Sequence, residues 1–114
     1  MSTMKWWQWL PIFPWRIVAS VEAAPDVPDR LPRNGAVLVG TREKPKWLAF
    51  DCPCRSGHRI SIPLDPNQNP HWTVTDHEVL SVHPSVDFRA PERRCHYFIR
   101  RARILWARDG VRRR

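Results

Sequence analysis

Two sets of residues in this chain have types and spacing that suit chemistry. The first is Ser85 and His96, within the stretch HPSVDFRAPERRCHYFI. A serine hydroxyl is a weak nucleophile until a base within hydrogen-bond reach takes its proton, and a neutral imidazole does this near pH 7. Such a pair cleaves peptide or ester carbonyls, with the imidazolium then protonating the leaving group. A third group usually orients the imidazole. Asp76, Glu78 and Asp87 are the acidic candidates, and a backbone carbonyl would also serve. The second set is Cys52, Cys54 and His58 in CPCRSGH, with Cys95 further along. On paper these four make a tetrahedral zinc set. However, paired metal cysteines usually have two or more residues between them, and here there is one. The favoured reading is therefore a tight turn carrying two buried thiols. It assigns no metal, and zinc through Cys52 and Cys54 is the alternative.

The elements that must position these residues read as short strands. RIVASVEA at 16–23 alternates, and a proline-rich loop follows to Asn34. Asn34-Gly35 is a turn signal before AVLVG at 36–40, and KWLAFD covers 46–51. RISIPL at 59–64 has the alternation of a half-buried strand, and DPNQNP at 65–70 is a turn cluster. WTVTD at 72–76 and EVLSV at 78–82 read as a hairpin around Asp76-His77. Pro84 restricts His83 to extended geometry and limits the backbone at Ser85. Asp87–Arg94 reads as a polar, exposed connection. CHYFIR at 95–100 and RILWA at 103–107 form a last hairpin around Arg101-Ala102. His58, His71, His77 and His83 read as surface or turn residues. About eight short strands with turn chemistry between them predict an all-β fold, a small single-domain sandwich or open barrel. A short helix over about residues 3–10 precedes it. The organisation expected is a Trp-rich segment at 1–15, a β domain at 16–107 and a basic tail at 108–114.

Length and composition agree with one small domain. The chain has 114 residues, and seven Trp and four Phe supply much of a modest core. Twelve Pro against four Gly disfavour long helices. A formal charge of +8 predicts an acidic partner, whether protein surface, nucleic acid or anionic membrane. Three cysteines are an odd number, which argues against a secreted disulfide framework. With no recognisable signal peptide and no apolar run near the roughly 20 residues of a membrane span, the expected compartment is the cytoplasm. Trp6, Trp7, Trp9 and Trp15 suit a membrane interface, but only Lys5 and Arg16 stand ready to meet anionic lipid. A segment that covers the core or docks on a partner is the preferred reading.

The order of motifs carries a resemblance. A Trp-rich start, LPRNGAVLVG, FDCPCRSGHRISI, PHWTV, SVHPSV and CHYFIRRARILW, from about Trp6 to Trp106, resemble a family of small bacterial proteins. These lie beside ubiquitin-like proteins and E1-like and E2-like enzymes in antiphage operons. Members typically read CPCGCG, then PSV or PSI, then CRSHF. The resemblance implies a serine peptidase that processes or removes the ubiquitin-like protein. It maps the PS serine onto Ser85 and the SHF histidine onto His96. The family's first two cysteines fall on Cys52 and Cys54, but the third is Ser56 here. The cysteine three residues before the histidine is Arg93, and Cys95 stands where relatives have Ser. Half the cysteine set is thus absent while the Ser/His pair is intact. The implied partners are the ubiquitin-like protein and the E1-like and E2-like enzymes.

The competing class is a non-catalytic binding module, either zinc-knuckle-like or basic. A nucleic-acid binder would show exposed aromatics among its arginines and a steep salt dependence, and it is the weaker alternative. For a peptidase acting on an extended tail, an open sheet edge is the natural receptor, since the tail can add as a strand. Arg89, Arg93, Arg94, Arg100 and Arg101 would then meet an acidic partner face.

Overall fold

The computed structural model describes residues 4–76, 78–91 and 93–111, the last four by backbone alone. It is all-β, with eight strands: β1 (Arg16–Val21), β2 (Gly35–Gly40), β3 (Pro45–Asp51), β4 (Arg59–Pro63), β5 (Thr73–Asp76), β6 (Ser81–Ala90), β7 (Arg93–Arg100) and β8 (Arg103–Val111). They form two four-stranded sheets, β1-β2-β3-β4 and β5-β6-β7-β8. The pairs are antiparallel except β1 with β2, which is parallel. Among the described residues no helix is long and apolar enough to cross a membrane.

The sheets share one core, which makes the architecture a sandwich. Leu38, Leu48, Phe50, Ile60 and Ile62 from the first sheet meet Val82, Val86, Tyr97 and Ile99 from the second. Their alternation follows from the two-residue period of a strand. β2 departs from it because it is buried on both faces: its other side packs Val37 and Val39 with Ala19, Val21 and Leu31. A continuous apolar run such as AVLV is what such a strand requires.

The expected N-terminal helix is only a 3-10 turn, Trp6–Trp9, with none of its residues buried. Trp15 alone of the first four tryptophans enters the core. Its backbone ties the segment down, donating to the Ala102 carbonyl and accepting from the Leu80 N–H. Arg16 completes the anchor through the Gln8 side chain and the Arg33 carbonyl. Trp6 and Ile12 stay largely exposed.

Two expected boundaries move. Asp87–Arg94 is not a connection; it is the end of one long hairpin, with β6 running to Ala90 and β7 starting at Arg93. Its charges alternate with Val86, Phe88 and Cys95, so one face is polar and the other packs inward. Residues 78–80 form a turn before β6, closed by Asp76 Oδ1 accepting from the N–H groups of Glu78 and Val79. His77 lies outside the described residues. The hairpin at Arg101-Ala102 is present, both residues having positive φ (49° and 66°) as a tight hairpin turn demands. β8 continues past the expected end at Ala107 to Val111.

Candidate active site

Ser85 and His96 come together on the outer face of the second sheet, with Ser85 Oγ 2.8 Å from His96 Nε2. Both side chains are half-buried, so an incoming carbonyl can reach them. The local cause is a break in the β6–β7 ladder. Val82 pairs with Ile99 and Val86 with Tyr97, so β6 advances four residues where β7 retreats two. Ser85 sits in this bulge, outside the paired register on either side. Bulges re-aim side chains in this way. On the other flank, β8 leaves register between Cys95 and Tyr97, directly beside His96.

Trp72 fastens the bulge. Its indole N–H donates to the Ser85 carbonyl at 3.0 Å, and its backbone N–H donates to the Pro63 carbonyl at 2.8 Å. Sequence reasoning missed this residue. The one available signal was a Trp between a turn cluster and a polar strand, since a partly buried indole N–H normally seeks an acceptor.

Of the three acidic candidates, Asp87 lies directly opposite His96 in the β6–β7 register. Its carboxylate is engaged by Arg94 at 2.9 Å and Arg89 at 3.1 Å. The Arg94 hydrogen bond, helped by Arg89, holds that carboxyl below the usual carboxylate range. Asp76 caps a turn, and Glu78 lies in that turn, lining a cleft with β1. Among the basic candidates, Arg100 stacks over Phe98, 4.6 Å from the ring centre. Phe98 in turn lies opposite the exposed Leu105 of β8.

The pair sits on the outer face of the second sheet, with both residues partly exposed. One cleft runs between the 29–35 loop and residues 51–57, and another lies between residues 42–46 and 71–74. Neither includes Ser85 or His96. β5 covers β6 only from Ser81 to His83, Trp72 caps the same edge at Ser85, and no described strand pairs with it from Val86 to Ala90.

The second residue set also converges. Single ligand atoms of Cys52, Cys54, His58 and Cys95 all lie within 4.8 Å of one another. Cys54 Sγ is 3.5 Å from His58 Nε2. The loop that achieves this is closed by the Cys52 N–H to the His58 carbonyl and by the Arg55 N–H to the Cys52 carbonyl, each at 3.0 Å. Arg55 and Gly57 take positive φ (62° and 90°) to complete the curl. His58, expected at the surface, is half-buried because it stacks on Phe88, ring centres 4.3 Å apart. The thiols differ. Burial pushes Cys52 up to about 12 and also raises Cys95. Burial opposes ionisation of Cys54 as well, but hydrogen bonding from the Ser56 side chain and backbone leaves it lowered. Burial and the Arg93 charge lower His58.

No curated protein and no solved structure gives a significant match to this chain. A family model does match, over residues 22–107, and it leaves the Trp-rich start outside its span. That span holds Ser85, His96, Trp72 and all four Cys/His residues, and the chain belongs to the family of bacterial ubiquitination-like system serine proteases, BubE.

Proposed function

We propose that this chain is the peptidase of a bacterial ubiquitin-like pathway of the antiphage kind. It would act at the C-terminal tail of the ubiquitin-like protein, on a precursor or on a conjugate. In this reading Ser85 is the nucleophile and His96 its general base. The observation that carries it is the 2.8 Å gap between Oγ and Nε2 on an accessible face. The Ser85 hydroxyl gives its proton to Nε2 while Oγ attacks the tail carbonyl. The imidazolium then protonates the departing amine or alcohol, and water resolves the acyl-enzyme. The Ser85 N–H, outside the paired register, is the natural first donor to the oxyanion, and each such donor is worth about 3–4 kcal/mol.

The strand edge beside the pair, unpaired from Val86 to Ala90 among the described strands, favours an extended protein chain as substrate. A thin, extended tail can pair along the exposed edge of β6 and deliver its carbonyl to Ser85. Arg89, Arg93 and Arg94 lie on the distal part of the β6–β7 hairpin and Arg100 and Arg101 at the β7–β8 turn, and they would steer an acidic partner. The ubiquitin-like protein is therefore the proposed principal partner, with the E1-like and E2-like enzymes as neighbours in the pathway.

The experiment is incubation with the ubiquitin-like precursor and with an ester-linked conjugate. Ser85→Ala and His96→Ala should each lower cleavage by at least about 10³-fold with the fold retained. Cleavage that survives both changes would end this reading and leave a non-catalytic recruiting module, which the Cys/His cluster also suits.

A further inference from the structure

We propose that Cys52, Cys54, His58 and Cys95 bind one structural zinc ion, and that this ion clasps the two sheets together behind the Ser85–His96 pair. The site lies on the opposite side of β7 from that pair. The inference stands or falls independently of the peptidase reading.

Three observations carry it. The first is distance. A tetrahedral zinc with Zn–S near 2.3 Å and Zn–N near 2.05 Å sets S···N at about 3.6 Å and S···S at about 3.8 Å. Cys54 Sγ and His58 Nε2 are already 3.5 Å apart, and every ligand atom is within 4.8 Å of the others. The second is ligand chemistry. Three sulfurs and one imidazole nitrogen form a closed, soft set that suits zinc and leaves no position for substrate. The three cysteines are free thiols, so none is committed to a disulfide.

The third observation is the shell around them. Tyr97 is fully buried, and its hydroxyl is a buried polar atom without a hydrogen-bond partner. It shares one core cluster with Cys52 and Cys95, and Cys54 packs against that cluster. A buried hydroxyl left unpaired costs about 1–3 kcal/mol. Metal-bound thiolates supply the acceptor it lacks, and outer-shell donors of this kind commonly accompany metal ligands. His58 is held in place from the other side by its stack on Phe88, which is the β6 partner of Cys95.

The consequence is mechanical. Cys52, Cys54 and His58 belong to the loop joining β3 to β4 in one sheet. Cys95 belongs to β7 in the other and immediately precedes His96.

The test uses the full chain purified under reducing conditions without chelator. Metal analysis should find about one equivalent of zinc. Exchange with Co²⁺ should give thiolate charge-transfer and tetrahedral d–d absorption. Cys54, the partly exposed thiol, should resist alkylation until a chelator removes the metal, as read by peptide mass mapping. His58→Ala, at a partly exposed position, should lose zinc at least tenfold more readily while remaining folded. Less than about one tenth of an equivalent in zinc-replete protein, together with no cobalt spectrum, would overturn the proposal. So would a full equivalent of metal with Cys54 freely alkylated, because the metal would then lie elsewhere.

Discussion

Replacing Trp72 by Phe removes the indole N–H together with the five-membered half of the ring system, and keeps an aromatic side chain there. In the structure that N–H is bound to the Ser85 carbonyl at 3.0 Å. A neutral hydrogen bond contributes about 0.5–1.5 kcal/mol net, and Ser85 is exposed enough for water to replace part of it. The expected stability loss is therefore near 1 kcal/mol, a fall in Tm of about 3–5 °C for a domain of this size. Catalysis should suffer more than stability. Ser85 stands in a bulge outside the paired register, so the strand ladder does not fix its backbone. A displacement of about 1 Å at a reacting group can cost about 10²-fold. On the peptidase reading, kcat/KM for the ubiquitin-like precursor should fall about 10- to 100-fold, equivalent to about 1.4–2.7 kcal/mol of transition-state stabilisation. The assay pairs that rate with thermal unfolding of the same preparation. If Tm falls as expected and kcat/KM stays within twofold of wild type, the bulge holds Ser85 without the indole and the positioning argument fails.

Two further outcomes follow from the same geometry. Arg94 and Arg89 hold Asp87 below the usual carboxylate range, so its contribution is present above the unfolded carboxylate range near pH 4 and is lost as the pH falls below it. Thermal unfolding of Asp87→Asn against wild type should thus differ at pH 6, by no more than about 1 kcal/mol for so exposed a pair, and converge toward pH 2. Because its charge is already shared by two arginines, Asp87→Asn should lower kcat less than about tenfold, and a loss near 10⁴-fold would make Asp87 the group that orients His96. Tyr97→Phe separates the metal-bound and metal-free states by sign: with chelator it should leave Tm unchanged or raise it, since it removes an unpartnered hydroxyl, and with zinc it should lower Tm.

Much of this was legible in the residues because strands advertise a two-residue period. RISIP and the Arg101-Ala102 hairpin were readable for that reason, as was the all-β class. The distal half of the β6–β7 hairpin was not, because five charged residues between Asp87 and Arg94 resemble loop composition. There the inward apolar positions among the described residues are Phe88 and Cys95. The parallel pairing of β1 with β2 was also hidden, since local sequence does not encode which strand lies beside which. Ser85 and His96 were named by residue type and resemblance, but their 2.8 Å separation depends on a ladder break that no local pattern announces. Cys95 was set apart from the cysteine loop by sequence distance, and only the stacking of the sheets brings it back.

β7 is where these threads meet. Along it Cys95, Tyr97 and Ile99 point into the core, while Arg94, His96 and Phe98 take the opposite face. Neighbouring residues on a strand face opposite ways, so Cys95 and His96 cannot exchange roles without a one-residue slip that would turn the whole strand inside out. Tyr97 and Ile99 are fully buried, so that slip would expose two of the largest core side chains and is prohibitive. Register along β7 is thus enforced from the core side, while the ladder on its outer flanks is broken at Ser85 and beside His96. Rigidity behind and interruption in front are complementary requirements. The first keeps the imidazole in place, and the second aims the hydroxyl at it and leaves an edge for an extended chain. A metal at Cys95 would strengthen the first without touching the second. On this logic chelation should lower activity through loss of His96 order, not through loss of a reacting group. Zinc should restore it, and so should Co²⁺, because the ion that clasps the sheets never meets the substrate.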